Sequence, residues 1–166
     1  MTTIDIPRPS SALISATQVL LGILIALGLA AELYLLPALA DGAAAAYPEY
    51  SALRVPLLAL AIAFSILAQL AVAVAMVLVH RIRAGRMLRP TSLLGVDILV
   101  AALVGGVALV VTAAAFIGRE QAGSPFLAVV QGGLVIVLLA LAGITLVLRS
   151  LLRQAITLRA ELDEVV

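Results

Sequence analysis

Four apolar runs, at residues 12–36, 54–79, 92–117 and 126–148, set the terms on which this chain can fold. Each approaches or exceeds the roughly 20 residues that cross a hydrocarbon core as a helix. None shows the polar–apolar alternation of a membrane β-strand. With 64% hydrophobic and 11% charged residues, the 166-residue chain is far more apolar than soluble domains are. The expected fold is an all-α integral membrane protein. Its four transmembrane helices form an up-down bundle over a single membrane domain, residues 1–166, and an amphipathic helical extension follows the fourth.

The segments between the runs complete the division. Residues 1–11 read as a short polar arm, 37–53 as a first outer loop, 80–91 as a basic loop, 118–125 as a second outer loop and 149–166 as an amphipathic tail. Pro56 suits the first turn of the second helix, and Ser124 with Pro125 supplies an N-cap and first position for the fourth. In the first run Gly22, Ala26 and Ala30 recur every four residues, a small-residue pattern that permits close helix approach. Gly105 and Gly106 predict a similar approach in the third. Ala38-Leu39-Ala40 resembles a signal-peptidase site, but the apolar stretch before it exceeds the usual 7 to 15 residues, so an uncleaved helix is expected.

Charge orients these spans. All ten basic residues are arginine, and Arg81, Arg83, Arg86 and Arg89 fall in the one basic loop. Arg8, Arg149, Arg153 and Arg159 belong to the same side of a four-span topology, which leaves only Arg54 and Arg119 opposite. The positive-inside rule then puts both termini in the cytoplasm. The absence of lysine and the excess of Ala, Val, Leu and Gly suggest GC-rich coding, hence a multi-pass protein of a bacterial cytoplasmic membrane.

Composition also excludes chemistry. The chain has no cysteine and a single histidine, His80, which removes thiolate nucleophiles, disulfides and zinc sites built from His and Cys. No phosphate loop, nucleophile elbow or His-Glu-x-x-His is present. We therefore expect no enzyme activity, catalytic residue, metal or cofactor. A net charge of +1, with arginines gathered at one membrane face, gives no basis for direct nucleic-acid binding.

Polar residues inside the spans require a reason, because each ionisable group there costs on the order of 2.5 to 3.5 kcal/mol. Glu32 reads as an interfacial carboxylate paired with Arg54, or alternatively as a proton or cation site. Asp97 lies within reach of Arg81, Arg83 or Arg149 as a structural ion pair. Gln69 reads as interhelical hydrogen-bond glue and shares a face with Ser65. Gln131 lies near the outer end of the fourth run. Together Glu32, Gln69, Asp97 and Gln131 could instead line a polar path.

In the tail, Leu148, Leu151, Leu152, Ala155, Leu158, Leu162 and Val165 form a helical stripe. Glu161, Asp163 and Glu164 stand at its C-terminal end, where the helix dipole disfavours negative charge. The loop arginines on the same membrane face are the nearest compensation. A two-part cytoplasmic surface is expected from Arg81, Arg83, Arg86 and Arg89 with Arg159, Glu161, Asp163 and Glu164.

The order of LRVPLLALAI with Gln69, RIRAGRML, GVDILV and the terminal LLRQAITLRAELDEVV resembles the bacterial four-helix membrane proteins catalogued as domain of unknown function 2975, especially those of high-GC genomes. The likeness covers nearly the whole chain and is most specific in LRAELDEVV and the Arg83-x-Gly85 loop. Leu88 stands where that family usually has phenylalanine. The resemblance implies an integral membrane protein, often encoded beside a small helix-turn-helix regulator, and implies no catalytic residues. The leading expectation is a non-enzymatic interaction or regulatory module. Its partners would be the lipid bilayer and either such a regulator or another membrane protein, including a second copy of itself. The alternative is a small transporter or channel component.

Overall fold

Helix follows helix along the entire described chain, and the breaks between them explain the architecture. The computed structural model describes residues 11–83 and 90–163, and the side chains of residues 15–80 and 93–157. Helix α1 (Ser11–Ala30) passes through a π-helical turn (Ala31–Leu35) into α2 (Leu36–Ala46). A 3-10 turn (Pro48–Leu53) leads to α3 (Arg54–Arg83), followed by α4 (Pro90–Arg119) and α5 (Pro125–Asp163). No strand occurs among the described residues.

Four helical spans are long and apolar enough to cross a membrane: Ser15–Ala46, Pro48–His80, Leu93–Arg119 and Pro125–Thr157. The protein is thus an all-helical, multi-pass membrane protein. The first span differs from the sequence expectation, because much of the outer loop at 37–53 is helix. Pro37 by itself signals a helix stop. It instead occupies the first turn of α2, immediately after the π turn. Proline lacks an N–H and crowds the preceding turn of an α-helix. The wider π turn, closed by Leu36 N–H donating to the Ala31 carbonyl, accommodates that defect without ending the helix. Beyond it Ala43–Ala46 supplies strong helix formers.

The α4–α5 connection ends one helix and starts the next with side-chain-specific chemistry. Gln121 adopts a left-handed conformation with φ 53°. Ala122 N–H donates to the Ile117 carbonyl at 3.1 Å and Gln121 N–H to the Gly118 carbonyl at 3.2 Å, the paired bonds of a Schellman ending. Ser124 Oγ then accepts the Leu127 N–H at 3.1 Å, capping α5 with Pro125 in its first position.

Packing runs from neighbour to neighbour. Helix α3 packs on α1 and α2, α4 on α3, and α5 on α4, whereas α1 and α5 meet at most marginally. Apart from Leu53, the buried side chains among the described residues, Val96, Ala102 and Val110 of α4 with Leu138, Ala142 and Thr145 of α5, mark the tightest seam. Thr145 donates its hydroxyl to the Leu141 carbonyl at 2.7 Å, which satisfies it inside the seam. Gly106 lies against Phe64 and Leu138, so α3, α4 and α5 converge on it as its lack of a side chain allows. Beside it, a side chain at Gly105 would meet Leu67 at 3.0 Å.

The small-residue stripe of α1 falls elsewhere than its spacing suggested. Ala26 and Ala30 face outward, and a Cβ on Gly22 would meet nothing within 4 Å. The inward seam is Gln18, Leu21, Ile25, Gly28 and Glu32, a three-four spacing that keeps one face of α1 on α3. Gly28 is its point of close approach.

Candidate functional site

Glu32 sits in the π turn, and the continuation of the helix to Ala46 changes its depth. It no longer lies near an end of the first span, since Ser15–Ala46 covers 32 residues. Across from it on α3, Gln69 Nε2 donates to Glu32 Oε1 at 2.7 Å. Gln69 is about 16 Å along α3 from His80, roughly half the 30 Å hydrocarbon thickness. The pair is therefore near mid-membrane. Gly28 clears the way for it, because a Cβ there would stand 3.2 Å from three atoms of the Gln69 side chain.

The expected Glu32–Arg54 pair does not form. Arg54 instead makes a salt bridge with Asp41 of α2, with both side chains about half exposed. The reason is the same helical continuation: α2 brings Asp41 to the start of α3 and leaves Glu32 deep. Sequence reasoning treats Asp41 only as a loop acid. The signal that could reveal its role is its position nine residues after Glu32, which carries it toward the end of a continued helix.

Asp97 and Arg149 do come together. Arg149 Nε and one terminal nitrogen donate to the two carboxylate oxygens of Asp97, the latter at 3.1 Å, in a two-pronged pairing. Asp97 lies about 10 Å along α4 from Pro90, and Arg149 about 12 Å before Thr157 on α5. This pair fixes the rotation and height of α5 against α4 near the arginine-bearing end. Below it, Leu152, Ala155 and Ile156 continue the inward face of α5.

Gln131 is separate from both pairs. It lines an open groove of about 400 Å³ with Ala31, Phe64, Ser65, Val110 and Leu134, and neither Glu32, Gln69 nor Asp97 lines that groove. Among the loop and tail residues, Arg81 and Arg83 belong to the end of α3 and Arg159, Glu161 and Asp163 to the end of α5. Their side chains, and Arg86, Arg89 and Glu164 entirely, lie outside the described residues. His80 is exposed. No group of three or more His, Cys, Asp or Glu with metal-binding geometry occurs among the described residues.

These features define a class: a four-span helical membrane protein with three interhelical polar pairs at different depths. The chain belongs to the family described as protein of unknown function (DUF2975), whose model matches residues 38–166. The match begins in α2 and includes Gln69, Asp97 and Arg149, while Glu32 precedes it. No curated protein matches the chain, and no solved structure does.

Proposed function

We propose that the protein is a non-enzymatic interaction or regulatory module of a bacterial cytoplasmic membrane. It holds a partner at its cytoplasmic face through the 80–91 loop and the 149–166 tail. The observation that carries this reading is α5, which is one unbroken helix from Pro125 to Asp163. Its 39 residues rise about 58 Å, nearly twice the hydrocarbon thickness. The surplus projects at the arginine-bearing end, and the Asp97–Arg149 clamp sets which way its amphipathic face points. A small helix-turn-helix regulator, which the family resemblance implies is often encoded beside such proteins, is the partner this reading assigns to the platform.

Transport is the competing reading, and the mid-membrane position of Glu32 is what favours it. Against it, the polar residues are divided between two closed pairs and Gln131, whose groove includes none of the other three. The interaction reading is tested by deleting residues 159–166 and crosslinking in native membranes. The bundle should stay folded, and recovery of a cytosolic partner with the purified chain should be lost. Undiminished recovery overturns the reading.

A further inference from the structure

The first span, α1 through α2, meets α5 at most marginally, which leaves a wedge over α3 and α4, and two cavities occupy it beside the π turn and α2. One, of about 360 Å³, lies at the end bearing Tyr47, Tyr50 and Arg54, between α2, α3 and the α4–α5 turn. The other, of about 400 Å³, lies deeper, among Phe64, Ala68, Gln131 and Leu134. Leu36, Leu57 and Ala61 line both, so the two adjoin end to end along one groove. Its walls are almost entirely aliphatic. Polar groups stand at the tyrosine end, with Ser65 and Gln131 deeper.

From this geometry we propose that the groove is a binding site for one acyl chain of a zwitterionic phospholipid, whose headgroup sits on the Asp41–Arg54 pair. Length is the first argument. From Arg54 to Ala68 the helix rises about 21 Å, and half of a 40 to 45 Å bilayer, headgroups included, is about the same. The groove thus spans a single leaflet, from interface to mid-plane. Size is the second. Its two parts fall at the lower end of the roughly 300 to 1,000 Å³ range of small-molecule sites, whereas a helix 10 to 12 Å across, from a second copy or another protein, would fill on the order of 2,000 Å³ over the same length. Charge is the third. Arg54 lines the mouth and is bridged to Asp41 beside it, so opposite charges stand side by side there, both half exposed. A terminal nitrogen of Arg54 engages Asp41, and because a guanidinium carries five N–H donors, donors remain for a phosphate beside a carboxylate for an ammonium. Tyr47 and Tyr50 complete an interfacial rim.

The test uses the full chain, reconstituted in phosphatidylethanolamine–phosphatidylglycerol vesicles, re-extracted in detergent and washed, with bound phospholipid measured by phosphorus assay and native mass spectrometry. The expected result is roughly one phosphatidylethanolamine per chain, as for a single ligand-sized site. Ala61→Phe, at the junction of the two cavities, and Ala44→Phe, on the α2 wall, should each cut retention roughly tenfold. Val137→Phe, on the exposed face of α5, should not. Arg54→Gln should abolish the preference for phosphatidylethanolamine. Ala44→Phe decides the matter if Ala61→Phe fails to fold by circular dichroism. The proposal is overturned if the wild-type chain retains no phospholipid. It is also overturned if the folded phenylalanine variants retain as much as wild type, if phosphatidylglycerol alone is held, or if Ala61→Cys forms a disulfide-linked dimer.

Discussion

A carboxylate near the middle of a bilayer is among the most expensive side chains a helix can carry, and Glu32 is held there by one amide donor. Removing that donor is worse than removing both partners, because it strands a buried acceptor. Gln69→Leu should therefore destabilise the bundle by about 1 to 2 kcal/mol, at the upper end for interhelical hydrogen bonds. Glu32→Gln, which keeps an acceptor for Gln69, should cost less, and Glu32→Leu with Gln69→Leu should recover most of the loss. Reversible unfolding in mixed micelles followed by circular dichroism measures all three, and a double variant no more stable than Gln69→Leu alone refutes the argument. At this scale the sequence is partly legible. Asp97 and Arg149 can be matched because opposite charges at one depth have few other partners. Glu32 is misplaced by Pro37, whose usual meaning as a helix stop is cancelled by a π turn that no local residue pattern announces.

The helices themselves are legible from apolar length, and their joints are not. The π turn holds one residue more than an α-helical turn would, so removing that residue should restore regular helix without rotating α2 against α3. In a Pro37→Ala background, deletion of the exposed Leu33 should leave Gly28 facing Gln69 and Asp41 facing Arg54. It should cost less than about 1 kcal/mol in the same unfolding assay, the scale of a single lost interhelical contact. Deleting Leu24 from α1 in that background turns Gln18 and Leu21 about 100° off the α3 seam. That variant should be several-fold more destabilised. Equal losses in the two deletions would show that the π turn is not a removable insertion. Likewise, the α4–α5 ending uses Gln121 where glycine is usual, so the sequence signal for a Schellman turn is missing although its hydrogen bonds are complete.

For the whole molecule, composition alone determines the class, because a chain this apolar has only helices or closed barrels available to it in lipid. Orientation is a separate matter, and the arginine asymmetry predicts it. Since the chain lacks cysteine, single probes are unambiguous. Ala45→Cys should react with an impermeant maleimide in intact spheroplasts, and Gln154→Cys only after permeabilisation. The reverse pattern would invert the topology and remove the cytoplasmic surface. What the sequence could not convey is the wedge, which depends on which helix faces remain uncovered once three seams have formed, a property of no single segment.

The same neighbour-to-neighbour packing bears on biosynthesis. Every substantial interhelical seam joins membrane spans that succeed one another along the chain. No seam must wait for the last helix to find the first. Each helix leaving the insertion machinery meets its docking partner already in the bilayer, so assembly can proceed in the order of translation, with short loop closures in place of long-range searches. Growth of this kind offers each arriving helix the newest face of the bundle on which to dock.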